Sequence, residues 1–136
     1  MKKEALSDFG ALILRIGLAF VFFYFGIDKF IHLEANAAII RSFAFVPVNA
    51  TIFTIFNGVL EVMVGTFLVL GLFSRITAGI ASVMLTSIIL VFWFKQHIFL
   101  QRDIGLLAIA LFLLLNGGGR FGFDRYVRVK GIMERN

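Results

Sequence analysis

Cysteine is absent from the 136 residues, which excludes disulfide staples, thiol catalysis, cysteine-ligated iron–sulfur clusters and thiolate zinc sites for this chain acting alone. Any redox chemistry must then use a borrowed cofactor. Charged residues make up only 15% of the chain, and there is one proline. The two histidines, His32 and His97, lack a partner at ligand spacing, so no metal site is expected. Both fall in or near loops, which suits a buried haem poorly. What remains is apolar: 60% of residues are hydrophobic and 18 are Phe. That balance fits a membrane protein better than a soluble domain of this size, and the length allows a single domain over 1–136.

The formal charge of +5 could point to nucleic acid. The basic residues flank apolar runs, however, where topology and anionic lipid account for them. A basic patch with interleaved aromatics is missing, so no nucleic-acid partner is expected and the lipid bilayer is. The first apolar run is too long for a signal peptide and lacks a small-residue cleavage site, so it should stay as an anchor.

Four apolar segments can be marked, at about 9–31, 51–73, 76–94 and 104–118. A helix needs about 20 residues to span the hydrocarbon core. The first three segments meet this, whereas the fourth is short and relies on Asp103 and the following glycines lying in the interface. The runs are continuously apolar and too few to close a strand barrel, so the fold expected is all-α. A tight connection at 72–77 makes the second and third helices antiparallel neighbours. The result is an up-down-up-down bundle of four transmembrane helices. In the 33–50 loop, Ala37, Ile40, Phe43 and Ala44 repeat at helical spacing before Pro47, which predicts a short external interfacial helix. With both termini cytoplasmic, eight basic residues lie inside against four outside (Lys29, Arg41, Lys95 and Arg102), with Arg15 within the first span. That asymmetry favours both termini on the cytoplasmic side of the membrane.

Glu61 sits near the middle of the second apolar run. An ionised carboxylate there is costly, so it must face protein, water or a positive partner, or hold a proton. Helical side chains lean toward the N-terminus, so Glu61 on a descending helix and Lys29 near the outer end of an ascending one can approach each other. Asn57 lies one turn above Glu61, and Arg102 and Asp103 open the fourth helix at the same level. Tyr24 and Asp28 add polar atoms on the first helix. These residues predict a polar cluster in the external half of the bundle, with Glu61 either carrying protons and contacting a ligand or forming an ion pair that fixes register. Arg15, Arg75 and Asp124 read as structural charges, with Arg15 snorkelling to phosphate groups or pairing with Asp124. Gly117–Gly119 is a weak phosphate-loop signal, because a helix simply ends there. Gly58, Gly65, Gly71 and Gly79 read as packing positions.

The segment GVLEVMVGTFLVLGLFSRITA, 58–78, with its G-x-x-E-x-x-x-G core and G-L-x-x-R turn, resembles the second helix of the DoxX family of small four-helix membrane proteins. RIGLAFVFFYFGIDKF, 15–30, resembles its first helix, and GGGRFGFDR, 117–125, its terminal segment. Matched residue by residue, the family pattern falls on Arg15, Gly26, Lys29, Gly58, Glu61, Gly65, Gly71, Arg75, Gly117, Gly119 and Asp124. Gly118 stands where many members carry Pro. The resemblance implies a prokaryotic cytoplasmic membrane, since the family is bacterial and archaeal, and membrane redox chemistry, since it includes a subunit type of thiosulfate:quinone oxidoreductase and members tied to oxidative stress.

Three functions follow as expectations. One is a small subunit of a quinone-linked oxidoreductase or oxidative-stress complex, not catalytic alone, in which Glu61 is the candidate proton carrier. Lys29, Asn57, Tyr24, Asp103 and Arg102 would join Glu61 in contacting the quinone. No cofactor is expected on this chain alone, quinone being the one left open, and other redox subunits or further copies of the chain are the expected partners. The second is a non-catalytic subunit that anchors a larger membrane assembly. The third is a small transporter or proton-conducting protein, disfavoured because the charges form no continuous file.

Overall fold

A computed structural model describes residues 2–43, 49–97 and 100–117. Among these residues all regular structure is helical: α1 Lys2–Ile31, α2 Leu33–Ser42, α3 Ala50–Leu70, α4 Ser74–Gln96 and α5 Gln101–Asn116. Three stretches are long and apolar enough to cross a membrane, namely Leu6–Ile31, Ala50–Leu70 and Ser74–Lys95. The protein is therefore an integral membrane protein. At 16 residues α5 extends about 24 Å, short of the roughly 30 Å hydrocarbon core, and the expectation of four crossings stands apart from the three that length supports.

Local chemistry sets the helix ends. Asn49 caps α3 by accepting a hydrogen bond from the Thr51 N–H at 2.9 Å. At its other end Gly71 turns left-handed at φ 65°, and the Leu72 N–H donates to the Phe67 carbonyl at 3.1 Å, the bond pattern that closes a helix at glycine. Gly71 thus acts in the turn as well as in packing. Phe73 is also left-handed, at φ 47°, so chain direction reverses within three residues before α4 begins. Hydroxyls within the spans turn back on their own helices. Thr54, Thr66, Ser82 and Ser87 each donate to the carbonyl four residues earlier at 2.8 Å, which satisfies them without water.

The helices associate as two tight pairs. α1 packs most extensively on α3 and α4 on α5, whereas α3 and α4, despite their short connection, share little contact. The α1–α3 pair is antiparallel and rests on glycines. A Cβ added at Gly26 would lie 2.8 Å from Val62 Cγ2 and 3.1 Å from the Gly58 carbonyl, and one at Gly65 would lie 3.2 Å from the Ala19 carbonyl. With lipid as apolar as the side chains, such close backbone approach is what makes association favourable. The buried core lies toward the Gly71 turn and is rich in small residues, with Ala11, Leu18 and Ala19 meeting Val64, Leu68, Ala78, Ala81, Ala110 and Leu113. α2 lies across the opposite end against α3, burying Ala37, while Phe43 meets Phe92 of α4 edge-on at 5.5 Å.

Glycine substitutions separate tight contact from open surface. Nothing lies within 4 Å of a Cβ built at Gly17. Gly17→Ala should leave stability unchanged or raise it by up to about 1 kcal/mol through helix propensity. Gly26→Ala should lower it by about 1–3 kcal/mol, because the Gly58 backbone cannot yield. Denaturant unfolding in mild detergent measures both; an equal effect at the two sites would refute the packing described.

Candidate functional site

The end of the bundle that carries α2 holds Lys29, Glu61, Arg102 and Asp103. Gly26 lets α3 approach so closely that its Cβ position lies 3.1 Å from the Glu61 Cβ, and Lys29 follows one turn later on the same face of α1. The Lys29 Nζ donates to both carboxylate oxygens of Glu61, at 2.9 Å to Oε1 and 2.7 Å to Oε2. The approach expected from side-chain lean is thus a direct, chelated contact. Asn57, one turn earlier on α3, donates to Oε1 at 3.4 Å. The Glu61 side chain is 4% exposed and that of Lys29 16% exposed, so the pair sits in a largely dehydrated site. Its mutual attraction there offsets part of a large desolvation cost.

A second charged pair opens α5. Asp103 is buried, and Arg102 donates to its Oδ1 at 3.3 Å while remaining mostly exposed itself. Phe25 links the two pairs: its ring centroid lies 4.6 Å from the Arg102 guanidinium carbon and 5.9 Å from the Lys29 Nζ. Cations attract the ring face electrostatically, so one aromatic side chain joins charges from α1 and α5. Position alone did not single out Phe25 among the 18 Phe; an aromatic one turn before Lys29 is the signal that could have done so.

These residues edge a cavity of about 690 Å³ lined by all five helices. Lys29, Asn57, Glu61, Arg102 and Asp103 form its polar end, and Phe22, Phe53, Leu60, Leu85 and Ile88 are among its apolar walls. Tyr24 is not among the lining residues. It points outward, mostly exposed, with its ring edge-on to Phe25 at 5.3 Å. One residue's rotation around α1 separates the two: Phe25 faces in, Tyr24 faces out. Asp28 also leaves the cluster, pairing with His32 at 2.8 Å and accepting from Asn36 at 3.2 Å.

The charges at the other end differ from expectation in one respect. Arg15 is 2% exposed and lies inside the bundle, not at a surface from which it could snorkel. The reason is length. α1 begins at Lys2 and its apolar span at Leu6, so Arg15 stands nine residues, about 13 Å, into the span. Asp124, its expected partner, lies outside the described residues. Arg75 is exposed at the start of α4, and its Nε lies 3.5 Å from a Cβ built at Gly117, which sets the end of α5 beside the start of α4. Gly118 and Gly119 lie outside the described residues. Among the described residues, no three His, Asp or Glu side chains gather as a metal site would require.

The ion pair generates a stability prediction. Removing one partner leaves the other charge buried, so Lys29→Met or Glu61→Leu alone should cost about 3 kcal/mol. The double variant should recover most of that loss, since two apolar side chains can fill the same space. Unfolding of all four forms in one detergent provides the double-mutant cycle, and strictly additive losses would show that the contact carries no energy of its own.

No curated protein and no solved structure matches this chain. The DoxX family matches it over residues 10–96, a stretch holding most of α1 and all of α2, α3 and α4, and with them Lys29, Asn57 and Glu61. With well over half its length covered, the chain belongs to the DoxX family.

Proposed function

We propose that the chain is a small membrane subunit of a quinone-linked oxidoreductase or oxidative-stress complex, whose cavity receives a quinone head group against Lys29, Glu61 and Asn57. The observation that carries this reading is a buried ion pair at the polar end of an otherwise apolar cavity of about 690 Å³. Small-molecule sites commonly have this size and this ratio of apolar wall to a few placed polar groups. A quinone supplies two-electron acceptance coupled to proton uptake, and the electrons come from a partner's cofactor. The Lys29 ammonium has three donors, of which two go to Glu61, so a third is left for an acceptor oxygen in the cavity. Glu61 and Lys29 are the groups positioned to exchange a proton with that oxygen, while the apolar walls keep water out.

A second reading, a non-catalytic subunit that anchors a larger assembly, is favoured by the pair's position at the closest contact of α1 with α3. Glu61→Gln separates the two. In an intact complex it should lower quinone-dependent turnover by about 100-fold if Glu61 handles protons. Unchanged turnover with assembly preserved would leave only the anchoring role.

The topology we propose is a four-crossing bundle with both termini on the cytoplasmic side of a prokaryotic membrane and α2 in the outer interface. It is supported by the eight-to-four excess of basic residues and by the side-by-side packing of α5 on α4. The short α5 reaches both interfaces if Asp103 and Gly117 lie at their edges. Green fluorescent protein fused to the C-terminus should fluoresce, as it does when folded in the cytoplasm, whereas alkaline phosphatase activity from the same fusion point would reverse the orientation.

A further inference from the structure

We propose that the cavity fills sideways from the bilayer, through the gap between α3 and α4. Its occupant is a lipid-soluble amphiphile, with its apolar tail in the gap and its hydrogen-bonding head at Lys29 and Asn57. The nature of the head rests on the quinone reading; the lateral route does not.

The gap exists because α3 and α4, though joined by a three-residue turn, pack on other helices and barely on each other. Its two sides are visible from within and from without. Phe56 of α3 and Val83 of α4 both line the cavity, yet they are 60% and 67% exposed. Val83 stands nine residues into the 23-residue α4, about 13 Å along it, so the mouth opens at hydrocarbon depth. The lip is also apolar. Ser87, the hydroxyl that lines it, donates to the Val83 carbonyl at 2.8 Å and offers water no donor.

On the side of the membrane surface, Asn36 and Ile39 of α2 and the following Phe43 line the cavity, Phe43 meets Phe92 of α4, and the exposed Arg102 sets a charge at that edge. A ligand crossing the lip between Phe56 and Val83 instead comes from hydrocarbon and meets apolar atoms first. A plain hydrocarbon would enter easily but would leave Lys29 and Asn57 without a polar group to meet. An amphiphile satisfies both ends: the tail stays in lipid-like surroundings and the head meets donors that lipid lacks.

The absence of cysteine allows a clean probe. A bimane attached at Ile88→Cys, on the half-buried cavity wall, is placed in nanodiscs containing phosphatidylcholine brominated in its acyl chains. Brominated lipid should quench the bimane at least twofold, and Val83→Phe, a bulkier side chain at an exposed lipid-facing position that does not itself quench bimane, should remove more than half of that quenching. Decylubiquinone should relieve the quenching by displacing lipid tails. Three results would overturn the lateral route: quenching unchanged by Val83→Phe, stronger quenching by aqueous iodide than by brominated lipid, or none from lipid at all, as when a second copy covers the gap. If Val83→Phe acts as expected but decylubiquinone relieves nothing, the route stands and the quinone reading fails.

Discussion

A carboxylate cannot sit ionised among apolar side chains without a counter-charge, and Glu61 reaches Lys29 only because α1 and α3 touch at glycine. Gly26 and Gly58 bring the two backbones together, and the ion pair forms one turn further along α1. Each feature depends on the other. Without the close approach the two side chains would have to extend across a gap; without the pair, this close helix contact would hold an unpaired buried charge. α2 packs on the same two helices, mostly on α3.

One consequence is the division of the interior into two unlike halves. Toward the Gly71 turn, alanine-rich faces of α1, α4 and α5 close on Leu68 and Val64 and leave the interior packed. Toward α2, large side chains and charges hold the helices apart, and the cavity opens there. Phe22 and Leu85 belong to both, buried in the core cluster and lining the cavity floor. Because α3 packs on α1 and α4 on α5, the cavity lies between two pairs, and α3 meets α4 no more extensively than α1 meets α5.

Much of this was legible in the sequence. Helical class and three long membrane segments follow from apolar runs of the right length, and the meeting of Lys29 with Glu61 follows from side-chain lean and chain direction. Helix ends were less accessible. α1 starts near Lys2 because polar Lys2, Lys3 and Glu4 can continue a helix beyond the bilayer, where hydropathy no longer marks it. Pair preference was also hidden. A short turn fixes antiparallel direction but not packing, which depends on where glycines face, and Gly26 becomes decisive only against Val62 and Gly58. Tyr24 and Phe25 show the limit most plainly, since a rotation of one residue places the phenol outside and the plain ring inside.

Phe25 also explains how α5 is held at the open end. In α5 the core buries Ala110 and Leu113 and is flanked by Leu106, Leu107, Ile109 and Leu114, so the first turn lies beyond it and has another anchor. Asp103 is buried there with Arg102 beside it, and the guanidinium rests against Phe25. The same ring faces Lys29, so the Lys29–Glu61 and Arg102–Asp103 pairs share one apolar, polarizable neighbour between α1 and α5. A ligand head arriving at Lys29 would meet both pairs at once. The groups that hold the open end together are thus the ones that would recognise a ligand, and stability and recognition at this end draw on the same few side chains.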